Sequence, residues 1–134
     1  MLATDFVEDA LVFAAHNACQ NGVAPQHRVS YLDWRSPVGT PCDCIVASDV
    51  TYEQRNHAHL TRVLRHLLLP GGRLYLSDPG RRATQRFVEV LADLGYAHTV
   101  EHLVQPWPTG EVGVDIHAFC APQGSRPAPA TATA

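Results

Sequence analysis

Strand-like apolar runs in this chain close on aspartate, at Asp5, Asp33, Asp49 and Asp78, and helical periodicity fills the intervals between them. Such alternation specifies an α/β domain, because parallel strands need long crossovers that a helix supplies. Residues 1–4 read as a strand stub. Asp5 is placed to cap a helix over about 6–20, with Glu8 at capping-box spacing and Val7, Ala10, Leu11, Ala14 and Ala18 as its apolar stripe. Asn21-Gly22 ends it. A short strand over 28–32 leads into Asp33-Trp34 and a Pro/Gly loop. The run over 44–48 is unbroken and apolar, as expected of a strand covered on both faces.

A helix over about 56–69 follows, with Leu60, Val63, Leu64, Leu67 and Leu68 on one face. Pro70-Gly71-Gly72 breaks it and a strand over 73–77 comes next. A third helix over 83–94 turns Phe87, Val88 and Leu91 inward and stops at Gly95. Strands over 97–104 and 112–120 are joined closely enough to form an antiparallel hairpin. In an open parallel sheet the carboxyl ends of the strands border the ligand crevice, so the four aspartates suggest a site for hydroxyl and amino donors. Helix capping is the competing use for Asp5 and Asp49.

Composition limits what such a sheet can serve. Of the 134 residues 46% are hydrophobic and 17% charged, which suits one domain with one core over 1–121. Residues 122–134, rich in Pro, Ala and Thr, lack large apolar side chains and are expected to be disordered. A net charge of −3 provides no broad basic field for nucleic acid. No apolar run approaches the roughly 18–20 residues of a membrane span, and the chain reads as cytoplasmic. The four cysteines include a C-x-C at Cys42 and Cys44, which lacks zinc or redox spacing and suggests small hydrophobes in a buried strand. His57 and His59, two apart, fall on different helix faces and do not form a metal pair.

The ordered pieces resemble the class I, seven-β-strand methyltransferases that use S-adenosylmethionine. They are Ala3-Thr4-Asp5, Asp33-Trp34, Ser48-Asp49-Val50-Thr51-Tyr52, Leu69-Pro70-Gly71-Gly72 and Ser77-Asp78-Pro79-Gly80-Arg81. Within that fold the chain is similar to the protein-lysine methyltransferases with a D-x-x-Y motif. The D-P-G-R stretch is most like the electron-transfer-flavoprotein β-subunit lysine methyltransferase group. The resemblance implies a Rossmann-like sheet with helices on both faces and a terminal antiparallel hairpin.

It also implies roles. Asp5 would accept the ribose hydroxyls, Asp33 the adenine amino group, Trp34 would offer a flat apolar face, and Ser48 would lie beside the adenosyl group. Asp49 and Tyr52 would form the catalytic pair, Asp49 orienting a lysine amine toward the sulfonium methyl and Tyr52 positioning it. Trp34 as a core anchor, and Tyr52 packed under its loop, are the structural alternatives.

One family feature has no counterpart: the first strand, its glycine-rich turn and its crossover helix, which would precede Asp5. Without that turn the chain is expected to bind the cofactor weakly. A fragment of a longer reading frame, a degenerate remnant, or a sheet completed by a second chain would each account for the gap. The substrate is expected to be a protein lysine. A small-molecule amine, or no reaction at all in an interaction module of this fold, are the alternatives.

Overall fold

The computed structural model describes residues 1–124, so most of the expected tail, from residue 125 on, lies outside the described residues. The chain divides into two compact units, Met1–Gly39 and a second that begins at Thr40.

In the first unit β1 (Leu2–Asp5) and β2 (Arg28–Tyr31) pair in parallel, from Leu2 opposite Arg28 to Asp5 opposite Tyr31. The crossover is α1 (Glu8–Gln20). Asp5 does not cap that helix. Its N-cap is Val7, which makes no side-chain capping bond, and Asp5 Oδ1 instead accepts the Val7 N–H at 2.9 Å. The carboxylate sits at the strand end and reaches an amide two residues on, so it closes an Asx-type turn before the helix begins. Ala18 is buried and Ala10, Leu11 and Ala14 are half-buried, as the stripe predicts, while Val7 is exposed. The expected stop holds: Asn21 is the C-cap, and Gly22 follows with φ 70°.

The second unit is a four-stranded sheet in the order β3-β4-β6-β5. Its strands are β3 (Cys42–Ser48), β4 (Leu68–Asp78), β5 (Ala97–Trp107) and β6 (Gly110–Cys120), with α2 (His57–Leu67) and α3 (Arg82–Asp93) as crossovers. β3 and β4 are parallel, with Ser48 opposite Ser77, and β6 runs antiparallel to both β4 and β5. α2 ends at Leu67, and Pro70-Gly71-Gly72 lies within β4 instead of ahead of it, where the register against β3 shifts between Cys42 and Cys44. A glycine is required at 72, since a Cβ there would meet the Leu69 carbonyl oxygen at 2.7 Å. The hairpin is longer than its apolar pattern suggested: Trp107 pairs with Gly110, and β6 leaves β4 at Asp115, so the ribbon tip runs on as two strands.

The core of this unit lies on one side of the sheet. Leu74 and Leu76 of β4 and Phe119 of β6 are buried with Leu60, Val63 and Leu64 of α2 and Phe87 and Leu91 of α3. The rings of His57 and Phe87 lie 5.2 Å apart, so the two helices meet on that face. This arrangement corrects two expectations about β3. Val46, opposite Tyr75, is 75% exposed, so the strand is not covered on both faces among the described residues. Cys44 is likewise exposed and Cys42 only half-buried, and all four cysteines are free thiols. No helix among the described residues is long and apolar enough to cross a membrane.

Candidate functional site

In the second unit the chemistry gathers where β3 and β4 end. Ser48 is the last residue of β3, and Ser77 Oγ donates to its hydroxyl at 2.8 Å. Asp49 follows with φ 50°, the one non-glycine residue with positive φ among the described residues. Its N–H donates to the Ser77 carbonyl at 2.9 Å, carrying the strand pairing one residue beyond the ladder. Asp tolerates the left-handed region better than most residues, yet such a conformation still requires support from its surroundings. Arg81 supplies it: Nε donates to Asp49 Oδ1 at 2.9 Å and Nη2 to Oδ2 at 3.0 Å.

Arg81 is itself fixed by the turn after β4. Its backbone N–H donates to Asp78 Oδ1 at 2.6 Å. The Asp78 side chain has no solvent exposure, and its Oδ2 makes no hydrogen bond among the described residues, with Arg81 Nε 3.9 Å away. The hydrogen bond and charge of Asp49 push the Arg81 pKa above its ordinary value, with Asp78 and Tyr52 adding to the effect. Both members of the Asp49–Arg81 pair are about half exposed, so solvent screens the pair and its contribution to stability is small. Its geometric role is larger, because a fork on a carboxylate fixes that group's plane.

Tyr52 stands on the loop that leaves Asp49. Its neighbour Thr51 is fully buried, with Oγ1 2.6 Å from Thr84 Oγ1 of α3, and the Thr51 carbonyl lies 3.0 Å from His57 Nε2. The loop is thus tied to both helices while Tyr52 remains 55% exposed, which is not the packed arrangement weighed above.

The remaining sequence-predicted residues lie in the first unit. Asp5 is the last residue of β1 and Asp33 lies two residues beyond β2, and the Leu32 N–H donates to the Asp5 carbonyl at 2.9 Å. Asp5 is half-buried, with Oδ1 on the Val7 amide and no hydrogen bond to Oδ2 among the described residues. Asp33 is engaged differently. Arg35 Nε donates to both of its oxygens at 2.9 Å, and Nη2 donates to Oδ2 at 2.6 Å. An acceptor expected to be open to a ligand amine already has a guanidinium on it. Trp34 beside it is half-buried.

Arg81 and Ser77 are the site residues that sequence reasoning missed. The arginine was visible in D-P-G-R, but nothing in the spacing said that it reaches back 32 positions to Asp49. Residues 1–93 match a family described as Lysine methyltransferase. The chain belongs to that family. The lysine methyltransferase match contains every residue of both clusters and stops before the β5–β6 hairpin. No curated protein matches the chain's sequence.

Solved structures share its fold. A putative methyltransferase from Thermoplasma acidophilum superposes with TM-score 0.73 at 14% identity, covering 92% of this chain and 57% of that one. A SAM-dependent O-methyltransferase from Thermotoga maritima gives 0.65 at 16%, covering 90% and 49%. An O-methyltransferase from Bacillus cereus, in complex with SAH, gives 0.61 at 17%, covering 88% and 61%. The chain therefore spans about half to three fifths of the length of these proteins.

Proposed function

We propose that this chain acts in methyl transfer from S-adenosylmethionine to a lysine side chain of a protein, with Asp49 and Tyr52 at the acceptor. The observation that carries the reading is Asp49 itself, turned out of the strand at φ 50° and held by a two-bond fork. It lies within the stretch that matches the lysine methyltransferase family. The D-P-G-R stretch supports a place beside the electron-transfer-flavoprotein β-subunit group, and free cysteines support a cytoplasmic setting.

A carboxylate offers about four lone-pair sites. Arg81 takes one on each Asp49 oxygen, which leaves one on each for the N–H groups of an amine. Asp49 in this role orients the amine, with Arg81 fixing the plane of its carboxylate. The amine's proton leaves to water, to which the half-exposed site is open. Tyr52 stands on the same anchored loop and contributes its ring or hydroxyl to the amine's position.

For the cofactor, the test is whether these side chains have acceptors to spare. Asp5 does: its unbonded Oδ2 suits the vicinal hydroxyls of a ribose. In the same unit as Asp5, Trp34 would offer its flat face to the adenosyl group, and the bound cofactor would supply a methyl on a sulfonium. Asp33 would serve the adenine only after Arg35 moves. That occupancy is the observation favouring a second reading, a non-catalytic module of this fold. Incubating the purified chain with methyl-labelled cofactor and a mixture of cell proteins separates them. Label in protein lysines with the wild type and its loss with Asp49→Asn supports the first reading. No label, and no heat of binding for S-adenosylhomocysteine, supports the second.

A further inference from the structure

An open groove of about 550 Å³ runs between α3 and the β5–β6 ribbon, and Arg81 is among its lining residues. Its charge is one-sided. Asp78, Glu89 and Asp115 line it, while the Arg81 guanidinium that also borders it is already bound to Asp49. Asp115 Oδ1 takes His102 Nδ1 at 2.7 Å. Beside its other oxygen lies Gly80, where a Cβ would come within 3.7 Å. Asp78 contributes the buried, unbonded Oδ2 described above. The groove also has apolar and flat walls: Val88 and Val100 border it, and the His98 ring stacks on Phe119 at 4.5 Å while hydrogen-bonding His117 at 3.0 Å. Acidic ends with apolar sides suit a cation on a hydrocarbon stem.

We propose that this groove receives a basic side chain, lysine or arginine, from the methyl-acceptor protein, at a residue other than the one methylated. The inference rests on the lysine-transfer reading only for the identity of the protein that brings the side chain. The stem would lie along Val88, Val100 and the imidazole face, and its head would meet Asp115 and Glu89. A second anchor of this kind selects acceptor lysines with a basic neighbour.

The test is an isotope-labelled titration of the 134-residue chain with Nα-acetyl-lysine methylamide, its arginine analogue and neutral acetyl-norleucine methylamide. The basic probes, at roughly millimolar concentration, should give saturable shifts at the Gly80 amide, the Val88 and Val100 methyls and the His98 and His102 rings. Norleucine should bind at least about tenfold more weakly, a ratio that corresponds to about 1.4 kcal/mol. Glu89→Gln and Asp115→Asn should each weaken the lysine probe several-fold, and Glu89 is exposed on α3, so its variant folds even if the other does not. Equal binding of norleucine, shifts scattered over the surface, no shifts at all, or wild-type affinity in both variants overturns the proposal. The readout involves no methyl transfer. A chain that fills the groove but labels no lysine refutes the function proposed above and spares this site, and the converse result does the reverse.

Discussion

Arg81 and Asp49, 32 residues apart, share two hydrogen bonds of 2.9 and 3.0 Å across the ends of neighbouring parallel strands. The fork holds a carboxylate whose backbone is in the left-handed region, so it supports a conformation that the residue type disfavours. Removing it should therefore separate stability from function. Arg81→Gln is expected to lower stability only slightly, because the pair is half exposed and screened by solvent. Methyl transfer should fall roughly ten- to a hundredfold, the scale of a charge-assisted contact of about 1.5–3 kcal/mol. Arg81→Lys should recover little, since an ammonium cannot reproduce the fork. Urea melts and initial rates measured side by side check this; a drop in stability that accounts for the whole rate loss would reduce Arg81 to a structural role.

Asp49→Gly and Asp49→Asn give a second separation. Glycine adopts φ near 50° without strain, so Asp49→Gly should be neutral or more stable by up to about 1 kcal/mol despite the lost ion pair. Both variants should lose most transfer while binding cofactor as the wild type does. Wild-type transfer by a folded Asp49→Asn would remove Asp49 from the reaction.

The buried hydroxyl pair Thr51–Thr84 governs the loop that carries Tyr52. At 2.6 Å, with both residues at most 1% exposed, one hydroxyl donates to the other out of reach of water. Thr84→Val should cost about 1–3 kcal/mol, because it strands the Thr51 hydroxyl away from water. Adding Thr51→Val should cost less than the sum of the two single changes, and a double-mutant cycle from thermal melts measures the difference. Tyr52→Phe, made in the wild-type loop, then tests the hydroxyl alone.

The elements were legible because periodicity is a local property. Leu60, Val63 and Leu64 face the core as their spacing demands, and the third helix, expected over 83–94, is observed as Arg82–Asp93. The misreadings were of things that locality does not contain. Val46 looked buried because its neighbours are apolar, but burial depends on which face the crossover helices choose, and both choose the other one. Asp5 had capping spacing, yet its carboxylate found an amide two residues on before the helix began. In the site, the types and positions of Ser48, Asp49 and Tyr52 were readable, while their partners Ser77 and Arg81 came from a different strand and turn.

Stability should also depend on pH through His98. Burial, and secondarily the neighbouring His117, holds its pKa below the ordinary histidine value. The unfolded chain then binds this proton more readily than the folded one, so stability rises with pH in the window where they differ. The His98 contribution is intact above the ordinary histidine range near 6.5 and is lost as pH falls from there through the lowered folded value. Urea midpoints at several pH values, compared between wild type and His98→Gln, isolate this component. An unchanged slope in the variant would assign the pH dependence to other groups.

Arg35 offers the sharpest test of the cofactor side. Its guanidinium covers both oxygens of Asp33, and the hydrogen bond with Asp33 raises the arginine's own pKa. If Asp33 accepts the adenine amino group, Arg35 competes with the ligand for that acceptor, and the ligand must displace it. Arg35→Ala should then tighten S-adenosylhomocysteine binding several-fold. The Arg35 side chain is 70% exposed, so stability should change little. Adenosine should gain by the same factor, because the competition concerns the base. Inosine, whose ring carries an oxygen in place of the amino group, should gain much less. Calorimetry on the three ligands reads the pattern directly. A uniform gain for adenosine and inosine would mean that Arg35 blocks the site sterically, and weakened binding would mean that Arg35 itself holds the ligand and that Asp33 serves to position it.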